Sequence, residues 1–331
     1  MNRILQTFSF LVILVTGSGY AHIPTNSVSI SGVNSELVTK RAMQEKRVKV
    51  NGIELQVRDY AGNGDIVVFL HYGGGNLMMW QRMLPYFNND YRLVLIDFRG
   101  HGKSDVTPTG YHIDQLASDI VGVMKELKIN NAHIVGSSTG AEVGLSIGAN
   151  YPEKVSSLIL EGALVSQHGP YSLWKGSEQE FQKDIKNKLK KRRNFDRHFP
   201  SVQALVEYSS NLYPSWTKFD EVGAIYGTRK TSEGKFTNTY GSQQGTLYMK
   251  HYYQYLFEDY FRKIKAPFLI IGGEGDFKNS QIIKAQQRLI ELALSKGKIK
   301  TLDNWQHADG WTSSPEYASK IVLDFLADKR N

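Results

Sequence analysis

From residue 65 onward, short unbroken apolar runs alternate with longer amphipathic stretches. The runs are "DIVVFLHY" (65–72), "RLVLIDF" (92–98), "AHIVGSS" (132–138), "SSLILEG" (156–162) and "APFLIIGG" (266–273). A strand with one wet face alternates polar and apolar residues, so runs without alternation predict strands buried on both faces. Between them, "HIDQLASDIVGVMKEL" and "AEVGLSIGANYPEK" carry apolar residues at helical spacing. Ahead of them "RVKVNG" and "IELQVRDYAG" meet at Asn51-Gly52, a pair that favours the positive φ angles of a tight hairpin. The pattern predicts an α/β fold: a mostly parallel central sheet covered by helices on both faces, with the hairpin at one edge.

That rhythm breaks once. Between "LILEGA" and "KAPFLII" lies a stretch rich in Tyr, Lys and Ser that is too long for a crossover connection. Insertions of this size are usually lids or binding loops, so a mainly helical cap is expected at 163–262, with the core in 46–162 and 263–331. Residues 22–45 have little apolar periodicity and read as a polar lead-in. At the start, Asn2 and Arg3 precede the apolar run "ILQTFSFLVILV" and the small-residue stretch "TGSGYAH". Residues 1–21 are therefore expected to be a secretory signal peptide cleaved after Ala21, giving a secreted or periplasmic protein. The run is shorter than the ~20 residues a membrane span needs, so no integral span is expected after its removal.

Composition removes several function classes. The chain has no cysteine, which excludes a disulfide scaffold, an iron–sulfur site, a thiolate zinc site and a lipid anchor on cysteine. The net charge of +8 gathers largely in "KDIKNKLKKRRNFDRH" (183–198). Aspartates interrupt that run and no nucleic-acid motif accompanies it, so it reads as a solvated helix face and no nucleic-acid partner is expected. There is no H-E-x-x-H cluster, no G-x-G-x-x-G and no Walker lysine, so neither a metal nor a cofactor is expected, and the partner is a small molecule. Nothing in the sequence fixes an oligomeric state.

The candidate chemistry lies in "HIVGSSTGAE" (133–142), where a strand passes directly into a helix. The carboxyl edge of an open α/β sheet is where such folds bind ligands. Of the two adjacent serines only Ser138 has glycine two residues away on both sides, Gly136 and Gly140; at those distances Ser137 has Val135 and Thr139. A turn tight enough to push a serine hydroxyl clear of the backbone strains that serine, and a Cβ two residues to either side would clash.

With that stretch in place, the chain resembles the α/β-hydrolase fold family from about residue 47 to the C-terminus, least clearly in the expected cap. The matching motifs are "HYGGGN", "DFRGHGKSD", "GSSTG", "GGEGD" and "QHADGWTSSPEYASKIVLDFL", in the family's order. The resemblance implies a triad in chain order serine, acid, histidine: Ser138 as nucleophile and His307 as base. The acid is Asp276, at the end of "FLIIGGEGD", or else Glu161 at the end of the sixth strand, where some relatives carry it. His101, inside the glycine-rich "RGHGKS" turn, and His133, ahead of its strand, are poorer bases. An oxyanion hole is implied from the backbone N–H groups of Thr139 and Gly73. Tyr72 stands where a glycine is usual, which puts its ring within reach of substrate.

What the resemblance implies is a serine hydrolase acting through an acyl-enzyme on a small to medium carboxylic ester, thioester or lactone. Amide or peptide cleavage, C–C bond hydrolysis and perhydrolysis are the alternatives on the same fold. Serine at the nucleophile speaks against the dehalogenase and epoxide-hydrolase branches, and a non-catalytic binding module would not need all three groups. Activity is expected to rise with pH through a group near the free imidazole's ~6.5. Residues 163–262 hold Tyr171, Tyr208, Tyr213, Tyr226, Tyr240, Tyr248, Tyr252, Tyr253, Tyr255 and Tyr260, with Trp174 and Trp216. Aromatic groups with hydroxyl tips predict an amphipathic pocket for compact or aromatic acyl groups.

Overall fold

Asn51 (φ 47°) and Gly52 (φ 77°) both adopt the left-handed conformation expected of their turn. They join strand β1 (Met43–Val50) to β2 (Ile53–Tyr60) in an antiparallel hairpin. The structure is a computed structural model that describes residues 41–192, 196–212, 216–277, 280–303 and 305–328. The expected signal peptide, most of the lead-in and Tyr213 lie outside the described residues. Met43 to Glu45, read from sequence as the end of the lead-in, already pair with β2, whose Tyr60, Asp59 and Arg58 face them. The strand's first residues, Gln44 to Arg47, are all polar and mostly exposed, so no apolar alternation marks its start.

The continuous apolar runs form β3 (Asp65–Leu70), β4 (Tyr91–Ile96), β5 (Ala132–Ser137), β6 (Val155–Glu161) and, after the insertion, β9 (Phe268–Gly273). With β10 (Gly297–Leu302) they make an eight-stranded sheet in the order β1-β2-β4-β3-β5-β6-β9-β10. The β1–β2 and β2–β4 pairs are antiparallel; every pair from β4 to β10 is parallel. This is the mostly parallel sheet of the α/β fold class.

Strand alternation sends one set of side chains to each face. Val68, Leu70, Val94, Ile96, Ile134, Leu158, Leu160 and Ile270 pack with helices α1 (Ile113–Glu126) and α2 (Thr139–Asn150). Val67, Phe69, Leu93, Leu95, Val135, Ile159, Leu269 and Ile271 face Trp80, Trp311 and Phe325 on the other side. Each fully buried aliphatic or aromatic side chain contributes about 1.5–3 kcal/mol by leaving water. The apolar runs have no polar alternation because both faces are covered.

Between β6 and β9 the chain forms α3 (Glu178–Arg192), α4 (Val202–Ser210), α5 (Lys218–Tyr226), the short hairpin β7 (Thr228–Lys230) and β8 (Phe236–Asn238), α6 (Ser242–Tyr252) and α7 (Phe257–Phe261). In α3, Phe181 and Ile185 are buried while Lys183, Lys186, Lys190 and Lys191 are exposed, so the part of the basic run within α3 is a solvated helix face. Buried polar contacts tie this segment to the core. The Tyr226 hydroxyl donates to Asp97 at 2.9 Å, and Asn76 donates to the Gly223 carbonyl at 2.9 Å. The chain closes with α8 (Ser280–Ile290), α9 (Gly310–Ser313) and α10 (Pro315–Ala327).

Candidate active site

The sheet order brings the sequence candidates together, because β3, β5, β6, β9 and β10 are consecutive parallel neighbours. Their carboxyl ends carry Gly73 after β3, Ser138 after β5, Glu161 as the last residue of β6, Asp276 after β9 and His307 after β10.

Ser138 links β5 to α2 with φ 52° and ψ −116°, a strained conformation for a residue with a side chain. Both flanking glycines are required by close approach. A Cβ on Gly136 would lie 2.3 Å from the Gly140 carbonyl oxygen, and one on Gly140 would lie 2.1 Å from that of Leu70. The elbow separates the two serines. Ser137 is fully buried and its hydroxyl donates to Glu161 Oε2 at 2.6 Å. Ser138 is held through its backbone N–H, which donates to the Glu161 carbonyl at 2.8 Å.

His307 reaches the same place from β10. A Cβ built on Gly162 would lie 3.7 Å from His307 Cε1 and 3.7 Å from Ser138 Cα, so ring and serine flank one point. His307 Nδ1 lies 2.6 Å from Asp276 Oδ1 and 3.6 Å from Glu161 Oε1. Both carboxyls are buried, at 5% and 1% exposure, whereas the imidazole is 39% exposed. With Nδ1 donating to a carboxylate, Nε2 carries the ring's lone pair. Burial works to lower the imidazole's pKa, but Glu161 and Asp276 outweigh it and push it up to about 9.

Glu161 has a different set of partners. Its Oε1 accepts from the Ala308 N–H at 3.1 Å, and its Oε2 accepts from Ser137 Oγ at 2.6 Å and Trp311 Nε1 at 3.3 Å. Burial raises its pKa, and the His307 charge opposes the rise. Ala308 has φ 60°, so Glu161 anchors a strained backbone position immediately after the histidine. Asp276 is oriented from its own turn, where the Gly273 N–H donates to Oδ2 at 3.3 Å.

Ligand atoms of Glu161, Asp276 and His307 lie within 4.8 Å of one another, the one such group among the described residues that could hold a metal ion. The fit is poor. Both Glu161 oxygens already accept hydrogen bonds, and two ligands at ~2.1 Å from one ion stand farther apart than the 2.6 Å between His307 and Asp276.

The loop after β3 folds against the elbow. A Cβ on Gly73 would stand 2.7 Å from Thr139 Oγ1, so the two expected oxyanion positions touch. The Tyr72 ring lies over Gly75, where a Cβ would meet it at 3.0 Å. His71 fixes this loop: its Nδ1 pairs with the Tyr72 carbonyl at 2.7 Å, and its Nε2 accepts from the Phe98 N–H at 3.1 Å. Complete burial lowers its pKa to about 4, which keeps it a neutral ring able to accept. The other two histidines weighed from sequence stand elsewhere. His101 stacks on Tyr240 with ring centroids 4.1 Å apart, and His133 is the second residue of β5, at the sheet's opposite end.

One residue escaped the sequence reading. Glu142, buried one turn along α2 from Ser138, accepts from the Tyr248 hydroxyl of α6, and burial raises its pKa to about 8. A charged residue four positions after Ser138, on the same helix face, was the available signal.

The fold and the site's arrangement define a class, and residues 65–312 match the family model described as alpha/beta hydrolase fold. The chain belongs to that family. Among curated relatives it is 32% identical over 114 residues to 2-(acetamidomethylene)succinate hydrolase of Mesorhizobium japonicum, which is 34% of this chain and 41% of the relative. It is 33% identical over 114 residues to 3-oxoadipate enol-lactonase 2 of Acinetobacter baylyi, 34% of this chain and 42% of that one. The match therefore spans less than half of the length of these relatives. The crystal structure of E-2-(acetamidomethylene)succinate hydrolase superposes with a TM-score of 0.69 at 22% identity, covering 86% of this chain and all of that one.

The charge balance at His307 changes the expected pH profile. A base must be neutral, so kcat/KM is expected to rise with pH, and the two adjacent carboxyls move the limb from ~6.5 toward about 9. A pH–rate profile that is flat from pH 6 to 9 would contradict this. The same shift links to folding. The folded-state value lies above the unfolded one, so this contribution to stability is whole below pH ~6.5 and is lost as pH rises through about 9.

Proposed function

We propose that the protein is a serine hydrolase cleaving a small to medium carboxylic ester, thioester or lactone through an acyl-enzyme on Ser138. The observation that carries this reading is His307 with Nδ1 on Asp276 at 2.6 Å, beside a serine in the strained elbow conformation. In this mechanism His307 Nε2 takes the Ser138 proton as Oγ attacks the acyl carbon, and Asp276 holds the tautomer and the imidazolium that forms. The Gly73 and Thr139 N–H groups hold the oxyanion. His307 returns the proton to the leaving group, and a water then repeats the sequence to release the acid. The reaction as written requires no cofactor. A lactone is named in the second relative above, which supports this substrate class.

The cap proposed at 163–262 sets substrate size. Tyr248 donates to Glu142, one turn from Ser138, and Tyr252 and Tyr255 are buried in the same core, which supports an aromatic surround for the substrate. Short-chain and aromatic esters and lactones are expected to give higher kcat/KM than long-chain esters in a panel assayed on purified protein. Preference for emulsified triglycerides, or cleavage of amides alone, would sink this reading.

A further inference from the structure

The first residue of α2 carries a hydroxyl that makes no hydrogen bond of good geometry among the described residues. Thr139 is 2% exposed, and its Oγ1 has no hydrogen-bond partner among the described residues. A buried donor left unmade is costly, so such groups call for an explanation. This one points at the loop after β3, since Gly73 leaves only 2.7 Å between its absent Cβ and Thr139 Oγ1. On the other side stands Tyr248, whose own hydrogen goes to Glu142. Burial, Glu142 and Tyr252 push the Tyr248 phenol well above 10, and the Thr139 hydroxyl is near enough to oppose that rise without forming a bond of good geometry. Being β-branched, threonine is stiff at χ1 and holds its hydroxyl in place better than serine would.

We propose that the Thr139 hydroxyl is a third donor of the oxyanion hole, beside the backbone N–H groups of Gly73 and Thr139. This rests on the acyl-enzyme reading above. As the Ser138 Oγ–carbon bond forms, the carbonyl π pair moves onto oxygen and the serine proton passes to His307. The hydroxyl then gains the charge-assisted hydrogen bond it lacks at rest. A donor unpaired in the free protein and paired in the transition state lowers the barrier without tightening ground-state binding. Cost at rest and gain in the transition state belong to the same atom.

The test compares Thr139→Val, which keeps the shape and removes the hydroxyl, with Thr139→Ser, which keeps the hydroxyl. The first readout is the rate of labelling by a fluorophosphonate, whose phosphoryl oxygen enters the oxyanion hole and which needs no known substrate. The second is kcat and KM on the best ester of the panel. Thr139→Val is expected to slow labelling and kcat by about 10²-fold, the usual effect of losing one oxyanion donor, with KM little changed. Thr139→Ser should recover most of that loss. Because Thr139→Val removes an unsatisfied buried group, its Tm should be equal to or above that of the parent. Labelling and kcat within threefold of the parent would overturn the proposal. So would a loss that Thr139→Ser shares in full, or one that tracks a fall in Tm. If the parent is not labelled at Ser138, the acyl-enzyme reading fails as well; if it is labelled there and Thr139→Val is unaffected, only the third donor falls.

Discussion

Ser138→Ala is expected to lower turnover by roughly a millionfold, and His307→Ala by a similar factor, because nucleophile and base act as one unit. Ser138→Ala should leave the unfolding midpoint unchanged, whereas His307→Ala should lower it, because the buried Asp276 and Glu161 carboxyls lose the imidazole between them. The elbow is held by the packing of Gly136 and Gly140 and by the Ser138 N–H on the Glu161 carbonyl, and the serine hydroxyl is no part of that. Ser137→Ala supplies the contrast. Its hydroxyl is spent on Glu161 at 2.6 Å, so its loss should cost about 1–3 kcal/mol of stability and leave turnover largely in place. Steady-state kinetics beside urea unfolding decides the matter. Full activity in Ser138→Ala, or its loss in Ser137→Ala alone, would move the nucleophile.

The second large effect separates the two carboxyls beside His307. Asp276→Asn is expected to lower kcat by about 10⁴-fold, since an amide in place of the Nδ1 acceptor favours the wrong tautomer. Glu161→Gln should cost far less activity and more stability. Both Glu161 oxygens accept, from Ala308 N–H on one side and from Ser137 and Trp311 on the other, and an amide NH₂ would turn one acceptor into a donor facing a donor. Urea midpoints and kcat for both variants test this. The opposite order of activity losses would assign the acid to the end of β6.

The inner strands β3, β4, β5, β6 and β9 were legible because burial on both faces leaves a one-dimensional trace, the unbroken apolar run, whereas the half-exposed edge strand β10 leaves none. Ser138 was legible for a related reason. The elbow's close contacts admit only glycine at 136 and 140, so a three-dimensional constraint appears as local spacing. The acid stayed open between Asp276 and Glu161 because both lie at carboxyl ends of neighbouring strands, and only distance distinguishes 2.6 Å from 3.6 Å. The shift of His307 toward about 9 was hidden for the same reason, since it needs both carboxyls at once. Glu142 and Tyr248 are 106 residues apart, and the Thr139 hydroxyl meets the β3 loop at Gly73, 66 residues earlier in the chain. No periodicity encodes such contacts.

The central claim is that one serine of the adjacent pair becomes covalently acylated. Reaction with a fluorophosphonate, followed by digestion and mass mapping of the peptide that spans Val135 to Glu142, tests it most directly. The account predicts one adduct, on Ser138, in the wild-type protein and none in Ser138→Ala. An adduct on Ser137, or labelling that persists in Ser138→Ala, would contradict it.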